Sequence, residues 1–144
     1  MQKQNRMYKI LFVIPSLKTG GTNSSLSALY SNIKKQYDIT VLTLSNQRNA
    51  EYNFDEVVRY LPFIISAFHV SVIGKEWYKC PTIFVLKAIR TIIRKLLRYD
   101  ILNYLYRRVV HTIEKEHTYD FVVAFEESYP TKFVSYFKNM NKIA

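Results

Sequence analysis

At 144 residues the chain has room for one domain with a sizeable core, and not for two ordinary ones. With 21 Lys+Arg against 11 Asp+Glu it carries a net charge of +10, which directs it toward anions: nucleic acid, an acidic membrane surface or phosphorylated small molecules. Cys80 is its only cysteine, which rules out an internal disulfide or a cysteine-built metal cluster and fits a reducing compartment.

Residues 1–6 are polar and lack the charged-then-apolar pattern of a secretory signal, so the expectation is that nothing exports the chain. Lys9-Ile10-Leu11-Phe12-Val13-Ile14 is a continuous apolar run closed by Pro15 and Ser16, the pattern of a strand buried on both faces. A loop with Gly20, Gly21, Thr22 and Asn23 follows. Leu26, Leu29, Tyr30, Ile33 and Tyr37 then recur at i, i+3, i+4, i+7 and i+11, one face of a helix. Thr22, Asn23 and Ser24 are residues whose side-chain oxygens can cap its first turn. Residues 38–45 return as a second strand, which a right-handed crossover makes parallel to the first.

Residues 46–55 are polar and loop-like, and 57–61 read as a short third strand ended by Pro62. The apolar stretch 63–73 fits a helix or a buried loop equally well. The whole run 61–74 contains Pro62 and His69 and falls short of the ~18 to 20 apolar residues that span a bilayer. Pro81 opens a helix to about residue 98. Leu86, Ile89, Ile93, Leu96 and Leu97 lie on one side of it, and Lys87, Arg90, Arg94 and Arg98 on the other. A second helix follows, with Leu102, Leu105, Val109 and Ile113 inward and Arg107, Arg108 and Lys115 elsewhere on its surface. Residues 75–115 hold ten Lys and Arg against three acids, a local excess of +7.

Phe121-Val122-Val123-Ala124-Phe125 is another short buried strand, ending in Glu126-Glu127-Ser128 and a turn at Tyr129-Pro130. A helix over 131–137 leads to Lys142-Ile143-Ala144, where a further strand begins. The order β-α-β, helical insert, β-α, β is the rhythm of a doubly wound sheet. In such a sheet ligands bind at the carboxyl ends of the strands, where the Gly20-Gly21 loop and Glu126-Glu127-Ser128 both lie. A Gly-Gly turn is by itself only a tight turn, and Glu126-Glu127 only an exposed acidic turn. The strand-helix-strand pattern around the glycines favours proximity to a ligand. Gly-x-Gly-x-x-Gly spacing and an acid at the end of the second strand are both missing, which lowers a dinucleotide site, and the lack of Gly-Lys-Ser/Thr excludes a P-loop. His69, His111 and His117 share no metal-ligand spacing, so they read as structural or surface residues and no metal is expected.

The segment 9–45, with its Ile14-Pro15-Ser16-Leu17, Gly20-Gly21-Thr22 and Tyr37-Asp38-Ile39-Thr40-Val41, resembles the amino-terminal domain of family-4 glycosyltransferases. So does 119–144, with Tyr119-Asp120 ahead of the strand; the middle matches in outline. The resemblance implies an α/β fold, a Rossmann-like parallel sheet of about four or five strands flanked by helices, forming one half of a GT-B architecture. It also implies retaining transfer of a sugar from a nucleotide-diphosphate sugar, with no cofactor in this chain and no required metal. This half would hold a sugar or lipid-linked acceptor, with Gly20, Gly21, Thr22, Asn23, Glu126, Glu127 and Ser128 at the substrate. The donor-binding domain or subunit lies outside the sequence, so the chain is expected to be inactive alone; catalytic residues are not assigned.

The setting the resemblance implies is cytoplasmic assembly of a surface polysaccharide or glycolipid, peripheral on the inner face of the cell membrane. Lys87, Arg90, Arg94, Arg98, Arg107 and Arg108 would then meet anionic lipid; the plainer reading is a solvated helix surface. Nucleic-acid binding is the competing class: the charge permits it and Tyr99, Tyr104 and Tyr106 lie among the arginines, but no recognised motif accompanies them. A third reading is a non-catalytic partner subunit.

Overall fold

The computed structural model describes residues 6–17, 20–45, 54, 57–58, 61–62, 65, 81–98 and 100–143. The expected loop at 46–55 and the stretch 63–73 lie almost wholly outside them. β1 (Lys9–Ile14) is the middle strand, paired in parallel with β2 (Asp38–Thr43) on one side and β4 (Phe121–Ala124) on the other. β3 (Val57–Val58) pairs with β2 and β5 (Asn141–Ile143) with β4, giving a five-stranded, all-parallel sheet of order β3-β2-β1-β4-β5. This is a Rossmann-like α/β fold, and its strand order reverses at β1.

The apolar run of β1 is continuous because each face of the sheet has its own core. Successive side chains point to opposite faces. Leu11 and Val13 join the side packed by α3 (Ile101–Glu116) and α4 (Tyr129–Val134), with Tyr106, Ile113 and Phe133 fully buried there. Phe12 and Ile14 join the other side, packed by α1 (Gly21–Ile33) through Leu26 and Tyr30. The i, i+4 pair Leu26 and Tyr30 is buried, and Leu29, Ile33 and Tyr37 border the same core.

Several local expectations need correcting. Thr22, Asn23 and Ser24 do not precede α1: the N-cap is Gly20, in extended backbone (φ 169°, ψ 162°) with no side-chain cap, so these three lie within the first turn. Ser24 donates from Oγ back to the Gly20 carbonyl at 3.2 Å. α4 begins at Tyr129 instead of 131, because Pro130 suits a first turn that has no use for its missing N–H. It ends at Val134, after which Tyr136 and Phe137 close tighter turns onto the carbonyls of Phe133 and Val134.

α2 (Pro81–Leu97) and α3 form as expected, yet α2 is only partly covered. Leu86 borders the α3 core, whereas Ile89 (46 % exposed) and Leu96 (77 % exposed) face solvent with Phe84, Val85 and Ile92. No helix among the described residues is long and apolar enough to cross a membrane.

Candidate functional site

Parallel pairing of β1 with β4 brings two loops to one edge. Val13 lies opposite Ala124, and the Phe125 N–H extends the ladder to the Val13 carbonyl at 3.1 Å. Phe12 and Phe125 stack edge to face beneath that edge, centroids 5.8 Å apart. The Gly20–Asn23 segment therefore leaves the sheet beside Glu126, Glu127 and Ser128, at the point where the strand order reverses.

Asn23, buried at 7 % exposure, donates from Nδ2 to the Ser16 carbonyl at 3.0 Å, tying the first turn of α1 to the exit of β1. Neither Gly20, in extended backbone, nor Gly21 adopts the left-handed region that favours glycine, and a Cβ built on either meets nothing within 4 Å. The fold thus makes no demand for glycine here; the space beside both backbones is open for the approach of another molecule. On the facing loop Glu126, Glu127 and Ser128 are exposed. Ser128 holds φ 77° and ψ −110°, a conformation costing a non-glycine residue about 1–3 kcal/mol. The Lys132 N–H to the Ser128 carbonyl (3.0 Å) and the Thr131 hydroxyl to the Glu126 carbonyl (3.3 Å) help retain it.

The basic residues divide. Lys87, Arg90 and Arg94 of α2 line a cavity of ≈ 240 Å³ together with Thr91 and Tyr129. Arg107 lines a different one with His111, Glu114, Tyr136, Lys138 and Lys142, and its guanidinium lies over the Tyr136 ring at 5.3 Å. Arg98, just past α2, adopts φ 51°, and both it and Arg108 are exposed. α2 thus carries one cluster and Arg107 belongs to another.

Arg90 is also more than a surface cation. Its Nε and Nη2 donate to the two carboxylate oxygens of Asp100 at 3.0 and 2.8 Å, with both side chains under a fifth exposed. Asp100 is at the same time the N-cap of α3, accepting from the Leu102 N–H at 3.1 Å. The Arg90 hydrogen bond, and secondarily the Leu102 N–H, hold the Asp100 carboxyl below its usual range against the opposing effect of burial. Tyr129 lines the same cavity as Arg90, so the first residue of α4 brings the β4 loop beside α2. Lys87 is pushed down by burial and by the Arg90 charge.

Sequence reading missed Asp100 and Tyr129. Asp100 had a signal, as a lone acid directly before a helical pattern in a basic stretch. Tyr129 had none, since Arg90, in the lining of the same cavity, is 39 residues away. Of the tyrosines considered for base stacking, Tyr104 is exposed, Tyr106 is fully buried in the core and Tyr99 lies outside the described residues. No family model, curated protein or solved structure matches this chain.

Proposed function

We propose that this domain is the acceptor-binding half of a retaining, nucleotide-sugar-dependent glycosyltransferase of GT-B type, serving surface polysaccharide or glycolipid assembly at a membrane. The observation that carries the reading is the reversal of strand order at β1, with two exposed polar loops leaving adjacent strand ends. Glu126, Glu127 and Ser128 supply acceptors and a hydroxyl suited to sugar hydroxyls, and the open backbone at Gly20–Gly21 admits a bulky ring. Transfer requires a donor-binding domain, whether joined or separate.

The membrane setting is supported by α2. Phe84, Val85, Ile92 and Leu96 form an exposed apolar strip, and Lys87, Arg94, Lys95 and Arg98 flank it, the arrangement of a helix lying in a bilayer interface. Near an anionic leaflet each such cation adds about 1 kcal/mol. Burial of Tyr106 weakens the nucleic-acid alternative, because a ring at 0 % exposure cannot stack on a base.

Calorimetric titration with uridine- and guanosine-diphosphate sugars and with lipid-linked acceptor head groups tests the reading. A saturable heat for an acceptor sugar that disappears in Glu126→Gln/Glu127→Gln is expected. Heat from a short oligonucleotide alone, unchanged in that variant, would transfer the domain to the nucleic-acid class.

A further inference from the structure

The turn that follows α4 meets α3 around a cavity of ≈ 680 Å³. Arg107, His111 and Glu114 enter it from one face of α3, Tyr136 and Lys138 from the turn, and Lys142 from β5. The turn leads into β5, which places the cavity toward the amino-terminal edge of the parallel sheet, away from Gly20–Asn23 and Glu126–Ser128. Each cation here is positioned by a contact that leaves its charge uncancelled. The Arg107 guanidinium lies over the Tyr136 ring at 5.3 Å, and the Lys142 ammonium donates to the Ser135 carbonyl at 3.4 Å. The turn carrying Lys138 is tied to α3, because the N–H groups of Lys138 and Asn139 both donate to Glu114 Oε1, at 2.7 and 3.0 Å. Glu114, the one carboxylate in the lining among the described residues, is thereby committed to the backbone of that turn. None of the three cations has a carboxylate within salt-bridge distance among the described residues, unlike Arg90, which is forked onto Asp100. Three cations against one carboxylate leave the lining at +2, and like charges held around one hollow repel each other until an anion joins them.

We infer that Arg107, Lys138 and Lys142 form a binding site for a phosphoryl group, as a phosphomonoester or diphosphate. The excess charge matches a dianion, whereas a single carboxylate would leave one cation unanswered. Tetrahedral oxygens take donors from several directions, and α3, the turn and β5 each aim one at the same hollow, with the His111 imidazole beside them. Arg107 is laid on Tyr136 before anything binds, so its donors are already in place. The volume exceeds that of one phosphate and falls in the range of about 300–1,000 Å³ common for ligand sites, so the group arrives as part of a larger molecule. The inference rests on this cavity and not on the sugar-transfer reading, whose loops lie at the opposite edge of the sheet. The phosphate can come on a soluble molecule or on a lipid head group.

The test is amide-resolved NMR titration of the whole chain with inorganic pyrophosphate at constant ionic strength. It is repeated on Lys138→Gln/Lys142→Gln, on Arg107→Gln and, as a control matched in charge to the first, on Arg94→Gln/Lys95→Gln. The three substituted site residues are exposed, so the variants should keep the wild-type urea midpoint. Saturable shifts confined to residues 107–114 and 135–142 are expected, with affinity reduced about tenfold or more in both site variants and little changed in the control. Flotation with vesicles of phosphatidic acid in phosphatidylcholine separates the sources. Flotation that falls in Lys138→Gln/Lys142→Gln assigns the site to a lipid head group, and flotation unaltered by that variant assigns it to a soluble phosphate. Pyrophosphate shifts that never saturate, or an equal loss of affinity in the control, overturn the site and reduce the cluster to diffuse charge. Because pyrophosphate carries no sugar, that failure leaves the acceptor-sugar titration to stand or fall separately.

Discussion

Replacing Asp100 by asparagine and by alanine separates the two jobs this side chain does. Asparagine caps a helix about as well as aspartate, so Asp100→Asn keeps the bond to the Leu102 N–H and removes the charge opposite Arg90. Side-chain exposures of 18 % for Arg90 and 16 % for Asp100 place the pair between a solvated bridge and a buried one. An exposed pair would contribute at most about 1 kcal/mol, and charge-assisted bonds shielded from water about 1.5–3 kcal/mol. The two short bonds and the limited exposure favour the upper range, so Asp100→Asn is expected to cost about 2 kcal/mol, and Asp100→Ala about 1 kcal/mol more for the lost cap. Urea unfolding followed by circular dichroism reads this as a lower midpoint, by about 1 M for the asparagine variant if the slope is ~2 kcal/mol/M. The pH dependence gives a second reading. The folded carboxyl is held below its usual range, so the pair's contribution is present above about pH 4 and is lost as pH falls through the folded value. The gap between wild type and Asp100→Asn should therefore close in strong acid. A gap under about 0.3 kcal/mol at neutral pH, or one that persists unchanged in acid, would refute the assignment of this pair as a shielded clamp between α2 and α3.

Ser128→Gly relieves a strained backbone and should raise the thermal midpoint by the equivalent of about 1 kcal/mol, after the entropy glycine adds to the unfolded chain; a lower midpoint would show that the hydroxyl holds the loop. Burial drives the Tyr106 phenol upward, so its folded value exceeds the unfolded one near pH 10; its contribution holds below that pH and is lost as pH rises above it. Tyr106→Phe should flatten the loss of stability between pH 9.5 and 11.5, about where that titration falls, and an unchanged alkaline slope would contradict the burial argument. Ile92→Asp/Leu96→Asp alters side chains that are 55 % and 77 % exposed, so it should leave urea stability unchanged while cutting flotation with anionic vesicles about tenfold or more; equal flotation would remove the apolar strip from the interface.

β1 was legible because burial on both faces writes itself as an unbroken apolar run, and the spacing within α1 and α3 marked their inward faces correctly. Periodicity shows that a helix has an apolar side but not what lies against it, which is why the exposure of Ile89 and Leu96 could not be read. Three capping residues in a row left the start of α1 ambiguous, and extended backbone at Gly20 decided it while Asn23 turned inward to Ser16. The Arg90–Asp100 clamp depends on the left-handed turn at Arg98, a conformation that arginine does not advertise. At the candidate site, the strand pattern located both loops at the carboxyl-terminal edge of the sheet. Strain at Ser128 and the placement of Tyr129 beside α2 emerge only when α4 is packed.

The central claim is that the loops after β1 and β4 form one acceptor site. Amide-resolved NMR of the whole chain, titrated with acceptor glycosides and nucleotide sugars, tests it most directly. The account predicts saturable shifts from one ligand at both Gly20–Asn23 and Glu126–Ser128, with the opposite edge of the sheet around Lys9 and Asp38 unmoved. Shifts confined to α2, or absent from both loops across the panel, would contradict it.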